Sequence, residues 1–158
     1  MRTSTALAAA FTLLLALPAA AGDEGPIYDK ESNGVKQIEA GARYCADSGR
    51  RLVLNLGTND CAPCRVVNRA MHEPKFYEAF VQDFTPVFID VTPGTKNAEL
   101  LKRFDVNPKK GLPIIIVYDK DMKPTQVTRK GEMAALAKKG ENDVRLWFLT
   151  HFPKSEER

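Results

Sequence analysis

The sequence predicts an α/β fold in which a central mixed sheet is flanked by helices. Three observations carry that reading. Residues 52–56 (Leu-Val-Leu-Asn-Leu) and 114–118 (Ile-Ile-Ile-Val-Tyr) are short, nearly continuous apolar runs, the pattern of strands covered on both faces. Segments whose apolar residues recur at spacings of three and four alternate with such runs. The resulting order is helix, strand, helix, strand, helix, strand, strand, helix, and a βαβ half followed by a ββα half closes into one mixed sheet.

The chain begins with a segment of different character. Met1 and Arg2 give a positive start, residues 6–17 are uncharged and largely apolar, Pro18 breaks the run, and Ala19-Ala20-Ala21 supplies small residues before Gly22. That is the three-part layout of a secretory signal peptide, too short for the roughly 20 apolar residues of a permanent span. No cysteine stands at the cut, so the reading includes no lipid anchor. Removal of residues 1–21 leaves 137 residues, one domain with one core. The expected product is soluble and exported, of the periplasmic type.

Within that product residues 22–34 read as a flexible lead-in with a short strand around Ile27-Tyr28. Residues 35–153 read as the domain and 154–158 as a polar tail. Val35, Ile38, Ala42 and Cys45 form the stripe of a first helix ending near Gly49. The strand at 52–56 follows, then a helix from about Pro63 to Met71, interrupted by Pro74 before a second helical piece carrying Phe76, Phe80 and Val81. Residues 86–91 read as the next strand and 96–104 as a helix. Residues 114–118 and 125–130 read as a strand pair across a polar turn. Val144, Trp147, Phe148 and Phe152 make one face of a terminal helix.

Composition excludes some function classes. The whole chain carries a formal charge of +3, and the leader takes one arginine with it. Lys and Arg are scattered and not interleaved with aromatics, so no nucleic-acid surface is expected. The chain has three cysteines, too few for a disulfide scaffold, and two of them stand three positions apart in Cys61-Ala62-Pro63-Cys64. That spacing suits redox or metal chemistry.

The placement of the pair favours redox chemistry. It lies where a buried strand gives way to a helix, and free N–H groups and the aligned peptide dipoles at a helix start favour an anion. A thiolate at Cys61 is stabilised there, and the thiolate is the nucleophile. Cys64, one turn along, reaches back to close a disulfide. Pro63 lies in the first turn, where its missing N–H does little harm. Cys61 is then the attacking thiol and Cys64 the resolving one.

With these residues in view, the stretch from Leu52 to Phe152 resembles the thioredoxin superfamily. More closely, it resembles exported thioredoxin-like proteins with an interrupted motif helix and a phrase like Phe84-Thr85-Pro86-Val87-Phe88-Ile89-Asp90-Val91. The resemblance implies a thioredoxin-like fold and thiol–disulfide oxidoreductase activity. It implies a cis-proline at Pro113 packed beside the cysteines, and a backbone contact from Leu112 to the substrate. It also marks departures. Asp60 stands where thioredoxins have Trp, Asn55 where they have a buried acid, and Pro86 where that acid has a lysine companion. The loop 106–113 is longer and carries Lys109 and Lys110. A carboxylate at Asp60 opposes thiolate formation at Cys61.

Other readings stand beside these. The pair is alternatively a passive disulfide, the copper site of a metallochaperone, or part of the face of a redox-regulated binding protein. A larger metal site lacks ligands, since His72 and His151 are the only histidines, and haem attachment fails because Arg65 follows Cys64. Cys45 and Trp147 read as core, His72 as surface, Lys109 and Lys110 as a solvated loop. Arg65 reads as an exposed helix residue or a partner of the thiolate. No cofactor is expected. The expected partners are cysteine-containing exported proteins and a membrane thiol donor of electrons.

Overall fold

The computed structural model describes residues 25–152, so the leader at 1–21 and the tail at 154–158 lie outside the described residues. Four strands, β1 (Arg51–Gly57), β2 (Phe84–Asp90), β3 (Ile114–Tyr118) and β4 (Pro124–Val127), form one sheet in the order β2-β1-β3-β4. β1 runs parallel to β2 and antiparallel to β3, which is antiparallel to β4. The sheet is mixed, as the element order implies.

Alternation along the strands builds two cores. Leu52, Leu54, Leu56, Ile114 and Ile116 face one side, where helix α1 (Gly34–Ser48) and the short α4 (Glu99–Arg103) cover them. Val53, Ile115 and Val117 face the other, under α2 (Ala62–Met71), α3 (Pro74–Asp83), α5 (Glu132–Lys139) and α6 (Glu141–His151). On that second side Phe76, Phe80, Phe84, Phe148 and Phe152 pack ring against ring, for instance Phe80 on Phe84 at 4.9 Å between centroids.

Local chemistry sets the element ends. Asn33 caps α1 by accepting from the Lys36 amide, and Gly49 at φ 72° terminates it. Glu73 caps α3 by accepting from the amides of Lys75 and Phe76, with Pro74 at the first helical position. The break at Pro74 is therefore a stop and a fresh start.

Several boundaries differ from expectation. The buried stripe of α1 runs through Gly34, Ile38, Gly41 and Cys45, while Val35 is 38% exposed. The two glycines let the helix approach closely: a Cβ on Gly41 would meet Leu52 at 2.8 Å and Val87 at 2.9 Å. β2 begins two residues early and tolerates Pro86 because it is an edge strand. α4 is shorter than 96–104, because Asn97 turns inward, accepting from the Gly34 amide and donating to the Ser32 carbonyl. β4 stops at Val127, since the Thr128 hydroxyl accepts from the Ile115 amide. Helix α5, absent from the expected order, buries only Met133 and Ala137 over eight residues. Residues 27–28 form no strand, and the lead-in is not loose here: Tyr28 is 1% exposed. Trp147 is half-buried against the core and Cys45 is buried and free.

Candidate redox site

β1 ends at Gly57, and four residues later Cys61 opens α2 as its N-cap, with extended backbone at φ −85° and ψ 105°. Its Sγ accepts a hydrogen bond from the Cys64 amide at 3.1 Å. Cys61 and Cys64 are joined as a disulfide, their Cα atoms 5.2 Å apart. The two sulfurs are not equivalent: Cys61 is half-buried, whereas Cys64 is fully buried. Of the two, Cys61 is the sulfur-bearing residue open to solvent, and a thiolate there would meet a free helix N–H and the positive end of the helix dipole.

The loop before Cys61 is held from two sides. The Asn59 side chain accepts from the amides of Ile27 and Tyr28 at 2.9 and 3.0 Å and donates to the Tyr28 carbonyl at 2.8 Å. The Arg65 guanidinium donates to the Asn59 carbonyl at 2.9 Å. Arg65 is thus a half-buried residue that fixes the loop, and the exposed-helix reading does not hold. Asp60 lies in this loop with an exposed side chain. Asn59 escapes sequence reasoning, since an Asn in a turn is ordinary and its partner lies 31 residues away.

Asn55, on β1, is fully buried, with its Oδ1 accepting from the Tyr28 hydroxyl at 2.9 Å and its Nδ2 directed to Met71 Sδ at 3.8 Å. Gly57 is obligatory at the strand end, because a Cβ there would lie 2.2 Å from the Tyr28 hydroxyl oxygen and 3.0 Å from Cys64 Sγ. Asp90, paired with Gly57 across the ladder, is fully buried and accepts from the Thr92 amide and hydroxyl. Burial, and then the Asp90 carboxylate, push the Tyr28 phenol well above its ordinary range. Tyr28 and Asp90 are buried polar residues near the end of β1 that hydropathy patterning did not single out.

The Leu112–Pro113 peptide bond is cis. Ile114 pairs with Leu56, so Pro113 enters β3 at the sheet end from which β1 delivers the cysteines. Leu112 is half-buried against the α1-side core. Lys109 and Lys110, on a 3-10 turn at Pro108–Lys110, are exposed. His72 is exposed and stacked on Tyr77, and His151 stacks on Trp147. Among the described residues no three His, Cys, Asp or Glu side chains converge to hold a metal, and no helix is long and apolar enough to cross a membrane.

Residues 34–120 match a family model described as thioredoxin-like. No curated protein matches the chain. Among solved structures, the chain is similar to a disulphide isomerase from Xylella fastidiosa Temecula1, with a TM-score of 0.72 and 23% identity over 78% of this chain and 95% of that one. It is also similar to the oxidised C-terminal domain of Neisseria meningitidis DsbD, with a TM-score of 0.51 and 17% identity over 69% of this chain and 97% of that one. At these identities the likeness is one of fold.

Proposed function

We propose, from the premise that this chain belongs to the thioredoxin-like family, that it is an exported thiol–disulfide oxidoreductase acting on cysteine pairs of other exported proteins. The observation that carries this reading is the unequal placement of two bonded cysteines at a helix start, Cys61 accessible and capping, Cys64 buried behind it. The signal-peptide layout of residues 1–21 supports export.

The reaction runs in two displacements. The Cys61 thiolate attacks one sulfur of a client disulfide, forming a mixed disulfide and releasing the other client sulfur as a thiolate. Cys64 then attacks Cys61 Sγ, the Cys61–Cys64 bond forms, and the second client sulfur departs. Two electrons pass from the dithiol to the client. Pro113 shapes the rim of the site, Leu112 offers its backbone to the client chain, and Arg65 and Asn59 hold Cys61 at the helix cap. Return to the dithiol requires a thiol donor, for which a membrane thiol conduit is the fitting class, and no cofactor takes part.

Insulin-disulfide reduction measured beside Cu(I) titration tests the reading. Catalysed reduction, lost in Cys61→Ser, is the expected result. Tight Cu(I) binding without catalysis would replace it with a carrier function. The potential of the pair in graded glutathione buffers sets the direction: about −270 mV places it with thioredoxin and about −120 mV with strong oxidants.

A further inference from the structure

The buried polar residues behind Cys64 do something that an acid in the same place would not. Tyr28 and Asn55 are both enclosed, and the phenol donates its only proton to Asn55 Oδ1 at 2.9 Å, an oxygen that accepts and never donates. The Asn55 amide nitrogen is directed away, to Met71 Sδ. What the phenol has left to offer is its lone pairs. The neighbouring atom is Cys64 Sγ: a single point, the Cβ position of Gly57, lies 2.2 Å from the phenol oxygen and 3.0 Å from the sulfur. The two atoms are no farther apart than those lengths end to end, and the missing glycine side chain leaves the space between them.

A phenol oxygen within that distance of a sulfur, its proton committed to Asn55, favours S–H over S⁻. Two further effects have the same sign. Cys64 is fully buried, which disfavours its charged form. Asp90, also buried, is the register partner of Gly57, the residue whose Cβ position lies between the phenol and the sulfur, and its carboxylate disfavours a second negative charge there. The other groups around Cys64 do not reverse this. Arg65, next on the helix, donates to the Asn59 carbonyl; Asp60 is exposed; α5 and α6 bring the apolar Met133, Ala137 and Val144 to the core under α2, and the ion pair of Arg69 on α2 with Glu141 on α6 lies at the solvent-exposed surface, its two charges opposed. Asn55 has no proton to exchange.

We infer, on the footing of the exchange reading above, that Tyr28, fixed by Asn55, is a positioning residue that holds Cys64 as a neutral thiol and so makes resolution of the mixed disulfide slow at neutral pH. For Cys64 to resolve, its proton must leave, the Cys61–Cys64 bond forms, and the departing client thiolate takes up a proton in exchange. While that step waits, a second thiolate within the client competes. It attacks the client sulfur, a new client disulfide forms, the bond to Cys61 breaks, and Cys61 leaves as the thiolate with no net transfer of electrons. The site thereby favours clients with several cysteines and rearrangement of their disulfides over net reduction.

A chromogenic aromatic disulfide separates the two thiols in a Cys45→Ala background: the first equivalent of coloured thiol reports attack by Cys61, the second resolution by Cys64. The second phase of the parent protein is expected to keep accelerating with pH beyond the range of an ordinary thiol, about 8.5. Tyr28→Phe removes the lone pairs and keeps the ring. Its second phase should be about threefold or more faster at neutral pH, with the profile moved to lower pH and the first phase unchanged. Asp90→Asn, an independent variant with the core aromatic intact, should act in the same direction. A normal first phase with an unchanged or slower second phase in folded Tyr28→Phe overturns this inference alone. A slower second phase in Asp90→Asn also overturns it, by making Asp90 the acceptor of the Cys64 proton. Absence of the first phase in the parent protein removes the exchange reading and this inference together.

Discussion

The Cys61 sulfur caps the helix that carries Cys64, accepting a hydrogen bond from the Cys64 amide at 3.1 Å. The residue that caps a helix most often does so with an oxygen; here the sulfur of the proposed nucleophile holds that place. The arrangement ties reactivity to local structure, because the same N–H groups that leave a helix start unsatisfied are available to a thiolate. It also supports the proposed division of roles. The capping sulfur faces the loop and the rim, while its partner is a full turn inward and enclosed.

Trapping of clients checks that assignment. Cys64→Ser should accumulate mixed disulfides through Cys61 in extracts separated on a non-reducing gel, and Cys61→Ser far fewer. Equal trapping by both variants would show that either sulfur attacks.

Cys45 should alkylate slowly in the native protein and quickly once it is unfolded. It is 5% exposed, unpaired, and packed in the core beneath α1. Mass spectrometry of timed labelling reads the result, and rapid native labelling would bring a third thiol into the mechanism.

The contrast between Cys45 and Tyr28 shows what in this chain was legible from sequence. Strands β1 and β3 and the CxxC helix announce themselves, because a covered strand must be apolar and a Pro in a first helical turn follows from the missing N–H. Cys45 could be placed by spacing alone. The buried face of α1 could not be read in full, because Gly34 and Gly41 score as neither apolar nor polar; what they contribute is the absence of a Cβ. Tyr28 was hidden for another reason. It sits in a polar segment with no period, and its burial depends on Asn59 and Asn55, residues 31 and 27 positions away. Helix α5, with two buried residues, carries too weak a stripe to separate from a loop. Patterns along the chain reveal elements; partnerships across it appear only when the chain is folded.

The phenol of Tyr28 gives the protein a pH dependence at the alkaline end. Burial, with the Asp90 carboxylate second, raises its pKa above the ordinary value near 10. A group protonated more firmly in the folded state contributes fully below its unfolded pKa, and that contribution is lost as pH rises through the window above it. Stability should therefore decline from about pH 10 upward, and less steeply in Tyr28→Phe. Urea midpoints of both proteins across that range make the comparison. Parallel declines would mean that other groups set the alkaline limit.

Gly41→Ala should destabilise the fold by about 1–3 kcal/mol, although Ala is the better helix former. The added methyl would lie 2.8 Å from Leu52 Cδ1 and 2.9 Å from Val87 Cγ2, between a helix and a sheet already in contact. Chemical denaturation gives the difference, and a stabilised variant would mean that α1 can lift off the sheet without loss.

The last expectation concerns Asp60, which stands immediately before Cys61 on the exposed loop. Two effects of removing its charge were open from sequence: loss of a helix cap, or relief of repulsion at the thiolate. The structure gives the cap to Cys61 itself, so Asp60→Asn should leave thermal stability nearly unchanged. Repulsion remains. Unit charges about 4 Å apart interact by roughly 4 kcal/mol at an effective dielectric of 20 and by about 1 kcal/mol in bulk water. The side chain is exposed, so the lower figure is the better guide, and about 1.4 kcal/mol corresponds to one pKa unit. Asp60→Asn should lower the Cys61 pKa by about half a unit to one unit. A lower thiol pKa stabilises the reduced, thiolate form, so the disulfide becomes a somewhat stronger oxidant and the measured potential moves to less negative values. Thiolate absorbance titrated in both proteins, with the potential measured alongside, decides the matter. An unchanged or raised Cys61 pKa in the variant would show that the carboxylate is directed away from the sulfur, and that the helix terminus alone sets its acidity.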